Sequence, residues 1–110
     1  MKLTRFELSF EGEAQEVGFI IGLKDAGINE KTIQSLVSVF DKALEVPHPE
    51  CRTKSYFTEA GAEKFATGIE KIIKAVNQKK NGWAVNKIIL EAEPTALHIV
   101  HMDCYQVLIK

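Results

Sequence analysis

The chain opens on an alternation. Phe6, Leu8 and Phe10 share one side of an extended segment while Arg5, Glu7, Ser9 and Glu11 take the other, so residues 2–10 are expected to form a half-buried strand. Gly12 interrupts it. Glu13 and Glu16 then precede Val17, Ile20 and Ile21, with Lys24 and Gly27 after them, an order that suits a helix over residues 13–26 with a glycine cap. The same stretch also fits a buried strand through Phe19, Ile20 and Ile21, because Gly18 and Gly22 both lower helix propensity.

Helical periodicity takes over next. Behind Asn29 as an N-cap, Ile33, Leu36, Val37, Phe40 and Leu44 recur on one face of a helix spanning about 30–45. Pro47 and Pro49 stop it, and VPHPECRTKSYF reads as a connection longer than the usual ~4–6 residues. Thr58 then caps a third helix, with Phe57 placed as a staple and Glu59 and Glu63 on its first turns. Ala62, Phe65, Ala66, Ile69, Ile72, Ile73 and Val76 form its apolar stripe, and Asn81-Gly82 closes it after Lys79 and Lys80. Gly61, Gly68 and Ala75 recur every seven residues, a line along which another backbone could approach.

The remainder reads as strand. WAVNKIILEA, a Glu-Pro-Thr turn at 93–95 and ALHIVHMDCYQVLIK make two antiparallel strands, the second long or broken near Asp103. Strands at both ends of a helical block point to one α+β domain over residues 1–110. The expected architecture is a two-layer sandwich: a small antiparallel sheet of the N-terminal strand and the C-terminal strands, with about three helices packed on one face. The late strands are apolar on both sides. Ala84, Ile88 and Leu90 oppose Val85 and Ile89, and Val100 and Met102 oppose Leu97 and Ile99, so the second face needs cover from the chain itself or from a second molecule. His98, Val100, Met102 and Tyr105 are the candidate partner-binding residues, and a homodimer or a protein partner is the natural occupant.

Composition narrows the function classes. With 45% apolar and 26% charged residues in 110, the chain has the make-up of an ordinary folded domain rather than a disordered one. Fourteen basic against fifteen acidic residues create no overall field for nucleic acid or an anionic membrane. MKLTRFELSFEGE lacks the apolar run of a signal peptide, and VGFIIGL at 17–23 falls well short of the ~20 residues that span a bilayer. A cytoplasmic protein with Cys51 and Cys104 as reduced thiols is therefore expected.

Candidate chemistry concentrates in two patches. His98, His101 and Cys104 form a His-x-x-His-x-x-Cys spacing, and His48 and Cys51 lie in the proline-bounded connection. Zinc takes imidazole and thiolate ligands at such spacings when they sit on a turn. On a strand, however, His98 and Cys104 point one way and His101 the other, and six residues at about 3.3 Å each separate the first from the last. No metal or cofactor is expected on this reading. The alternative is a metal- or thiol-dependent small enzyme built on His48 and Cys51, with His101 as a further ligand; Arg52 and Lys54 flank the thiol that would be the nucleophile. His101 and Asp103 share a strand side and could act as base and orienter. A third reading, a nucleic-acid accessory protein, rests on Lys71, Lys74, Lys79, Lys80 and Lys87. Gly18-x-x-x-Gly22 matches no phosphate-binding loop. SYFTEAGAEKF leading into a long amphipathic helix is similar in character to small accessory proteins of bacteria and their phages, and no motif in it assigns a family. The expectation is a small non-enzymatic binding or regulatory module that works through protein–protein contact.

Overall fold

In the computed structural model, residues 1–18, 21–41 and 54–110 are described. The chain is an α+β domain with a six-stranded antiparallel sheet. Strand β1 (Lys2–Phe10) turns back through Glu11 and Gly12 into β2 (Glu13–Gly18). Both turn residues have positive φ, 51° and 85°, the combination a type I′ hairpin requires, and it sets Phe10 opposite Glu13. Of the two readings open for residues 13–26, the strand holds over Glu13–Gly18 and the helix does not; Phe19 and Ile20 lie outside the described residues. The acidic residues and Lys24 satisfied the local electrostatics of a helix, but the two-residue turn fixes strand pairing before a helix can start. A single 3₁₀ turn, Ile21–Leu23, follows.

Helix α1 (Glu30–Asp41) begins where expected, with the Asn29 carboxamide accepting the Thr32 N–H at 2.8 Å. The expected residues 42–45 of this helix lie outside the described residues. The long connection ends differently from expectation: its last residues form β3 (Lys54–Phe57), which a period-two test cannot detect over so short a run. The third helix is two. Thr58 caps α2 (Glu59–Lys64), accepting the Gly61 N–H at 3.0 Å, and α3 (Ala66–Lys79) starts after Phe65, whose φ −99°, ψ 11° departs from the helical well. β4 (Trp83–Glu91), a 3₁₀ turn at Pro94–Ala96, β5 (Ile99–Met102) and β6 (Gln106–Ile109) complete the chain, so the last strand is indeed broken at Asp103.

The sheet runs β2-β1-β3-β6-β5, with β4 on the other edge of β1. β1 is thus central: β4 pairs with its whole length from Lys2↔Glu91 to Phe10↔Trp83, while its opposite edge is shared end to end by β2, at Glu7–Phe10, and β3, at Thr4. β4 and β5, though adjacent in sequence, pair with different strands.

On one side of β1, Phe6 and Leu8 join Leu23, Ala26, Ile28, Phe40, Phe57, Phe65, Ile69, Ile72 and Val76 in the core. Phe57 is its hub, with ring centroids 6.3 Å from Phe6, 6.1 Å from Phe40 and 6.1 Å from Phe65. The other side of β1 corrects the half-buried expectation: Arg5 is 9% exposed and Glu7 5%. Their side chains pair, Arg5 Nε donating to Glu7 Oε2 at 2.6 Å, and Arg5 Nη1 donates to the Ser55 carbonyl at 3.1 Å. The same guanidinium lies against Gly18, 3.5 Å from the position a Cβ would take there. Arg5 therefore bonds the body of β3 to β1 and lies beside the end of β2.

The seven-residue small-side-chain line is split by the break at Phe65, but at Gly61 a backbone does approach. A Cβ there would stand 2.0 Å from the Tyr105 carbonyl oxygen, which accepts the Thr58 N–H at 3.0 Å. Thr58 Oγ1 also donates to the Cys104 carbonyl at 2.7 Å, so the start of α2 is clasped to the β5–β6 turn.

Two stability outcomes follow from these contacts. Arg5→Met strands a buried carboxylate and is expected to cost about 3–5 kcal/mol in urea denaturation, whereas Arg5→Met with Glu7→Leu recovers most of that loss. Additive single effects would contradict the coupling. Gly61→Ala is expected to lose about 1–3 kcal/mol despite the better helix propensity of alanine, because the Tyr105 carbonyl must move.

Candidate functional site

The segment Leu97 to Tyr105 is where the sequence concentrates its candidates. β5 forms one flank of the sheet and pairs only with β6 among the described residues. Its burial alternates: Ile99 and His101 are half-buried, while Val100 is 40% and Met102 56% exposed. His98, just ahead of the strand, is exposed as well, and its carbonyl accepts the Lys110 N–H at 3.0 Å. Three of the four candidate partner-binding residues therefore lie exposed along this flank. Tyr105 lies elsewhere, because the turn at 103–105 resets the strand phase. Its ring meets Phe65 edge-on at 5.6 Å between centroids, and the Lys64 ammonium lies 4.7 Å from the tyrosine ring centroid.

Asp103 builds that turn. Its Oδ1 accepts the Tyr105 and Gln106 N–H groups at 2.8 and 2.9 Å, its own N–H donates to the Gln106 carbonyl at 3.0 Å, and its Oδ2 lies 3.0 Å from His101 Nε2. Burial pushes the Asp103 carboxyl up, but the hydrogen bonds with His101, with the Tyr105 and Gln106 backbone and with the Gln106 side chain outweigh it and hold the group below its ordinary value. The expected His101–Asp103 pair thus exists, with its carboxylate engaged in shaping the backbone.

The metal spacing does not converge. Among the described residues no group of three or more His, Cys, Asp or Glu side chains comes together to hold an ion. Cys104 is an exposed free thiol within the turn. His48 and Cys51 lie outside the described residues. The five lysines of the nucleic-acid reading are all exposed; four belong to α3 and its end, and Lys87 belongs to β4.

β4 carries a surface that the sequence reading did not single out as a site. Trp83 and Val85 pack against the core, but further along the same side Lys87 is exposed and Ile89 is 50% exposed. The signal that could have found it is the apolar run Ile88-Ile89-Leu90 bounded by charges of opposite sign. Among the described residues, no helix is long and apolar enough to cross a membrane. No protein-family model, no curated protein and no solved structure matches the chain.

The depressed Asp103 carboxyl has a signed consequence. A folded-state value below the unfolded one stabilises the fold above about pH 4, and that contribution is lost as pH falls through the folded value. Asp103→Asn keeps an acceptor for the two N–H groups but not the charge. Urea melts at a series of pH values are expected to show wild type more stable at neutral pH and the two proteins converging in acid; a gap independent of pH would refute the assignment.

Proposed function

We propose that this chain is a small non-enzymatic binding or regulatory module that acts through protein–protein contact. The observation that supports it is the exposed pair Val100 and Met102 on a flanking strand, with His98 beside them. Large apolar side chains on an edge strand are an association hazard when nothing covers them, so natural sheets blunt or charge such edges. Here the strand carries no lysine among residues 97–104. Methionine suits the role, because its unbranched thioether adapts to a partner surface.

β5 also carries a register shift between Ile99 and His101, where its pairing with β6 is irregular. A bulge of this kind discourages the addition of another strand. Contact at β5 is therefore through side chains.

The test uses the intact chain. Val100→Ser with Met102→Ser, both on exposed positions, is expected to leave the stability in urea denaturation within the small range of surface substitutions, about ±0.5 kcal/mol each. Relative to wild type, it is expected to abolish recovery of a stoichiometric protein partner with the tagged chain from cells that make it. Undiminished recovery with both substitutions in place would sink the reading.

A further inference from the structure

β4 differs from β5 in every respect that matters for backbone pairing. It is nine residues long, pairs with β1 without a register shift, and no strand occupies its other edge among the described residues. The direction of its backbone groups follows from the bonds just beyond its ends. Ala92 N donates to the Met1 carbonyl and Glu11 N to the Gly82 carbonyl, both in register with the β1–β4 ladder. Antiparallel ladders alternate, so even-numbered β4 residues turn their N–H and C=O toward β1. Lys87, Ile89 and Glu91 turn theirs outward.

Those three residues also share one side of the sheet, and each is exposed. Read in both directions, Lys87-Ile88-Ile89-Leu90-Glu91 is complementary to itself: an antiparallel copy centred on Ile89 sets Lys87 opposite Glu91 at both ends. Ile89 then faces Ile89 in the middle, and Ile88 faces Leu90 on the other side. Each of the outward pairs can exchange two backbone hydrogen bonds. Moving the centre to Lys87 would set ammonium against ammonium, and moving it to Ile88 would set Lys87 against Ile89; cross-strand pairs reward opposite charges and penalise like ones.

We propose that the β4 edge pairs with the β4 edge of a second copy of this chain, in the register centred on Ile89, joining two sheets into one. The proposal rests on the reading of the chain as a contact module but uses a different strand from β5. Isologous pairing through a two-fold axis requires a self-complementary patch, which this segment provides. Lys87, which on an isolated edge would repel added strands, becomes half of an ion pair when the added strand is this one.

Light scattering and sedimentation of the full chain test it. Wild type is expected at twice the monomer mass. Lys87→Glu and Glu91→Lys, each alone, are expected to fall to the monomer mass, and an equimolar mixture of the two to return to twice that mass, since each then meets its opposite. Amide exchange supplies a measurement without substitution: the Lys87, Ile89 and Glu91 amides are expected to be protected at high concentration and to lose protection on dilution. A monomeric wild type overturns the proposal, as does a dimer that neither charge reversal weakens or a mixture that fails to recover. Failure here with the β5 substitutions still abolishing partner recovery removes only the self-pairing; failure of the β5 result removes the module reading itself.

Discussion

The sheet has one place where its central strand changes neighbour, and the packing around it depends on a charge. Among the described residues, β2 pairs with β1 as far as Gly18 opposite Glu7, and β3 pairs with it at Phe57 opposite Thr4. Between the two, no strand of the described residues pairs with this edge of β1. Arg5 occupies that junction with its fork of donors, reaching Glu7 in one direction and the Ser55 carbonyl in another. A buried ion pair is no strong source of stability, since desolvation offsets most of the attraction. What it supplies is position: β3 carries Phe57, and Phe57 is the residue around which the aromatic core gathers. The polar side of β1 thereby determines where the apolar side can close.

Legibility in the sequence followed the range of the interactions. The first strand, the Asn29 and Thr58 caps and the break at Asp103 depend on neighbours within a few residues, and periodicity and capping chemistry find them. The hairpin at Glu11-Gly12 was missed because Glu-Gly is a weaker turn signal than Asn-Gly, although its φ values are those of the same turn. Alternation reports which residues share a side, not whether a charged pair on that side satisfies itself, so it does not reveal the burial of Arg5 and Glu7. Nothing local reveals that β4 pairs with β1 or that β6 lies between β3 and β5.

Candidate residues divide the same way. Val100 and Met102 lie exposed on β5, with His98 just ahead of it, because burial there still alternates residue by residue across the irregular pairing between Ile99 and His101. Tyr105 sits in the turn, where strand phase no longer applies, and its ring meets Phe65. The surface around Ile89 was hidden for another reason: its significance lies in a symmetry of the sequence about one residue, which a reading of faces does not test.

The position of β6 bears on how the chain is made. Among the described residues β5 finds its hydrogen-bonded neighbour only in Gln106–Ile109, and β3 finds one there too, with Thr58 closing on the Cys104 and Tyr105 carbonyls. During synthesis from the N-terminus, the β1–β2 hairpin and the helices can form while these residues are still in the ribosome, but the far half of the sheet has no strand to assemble on. Such long-range closure slows folding, because loop entropy is spent before the contacts return it. The exposed flank of β5 therefore waits on Gln106–Ile109, whereas the β1–β2 hairpin and the helices do not.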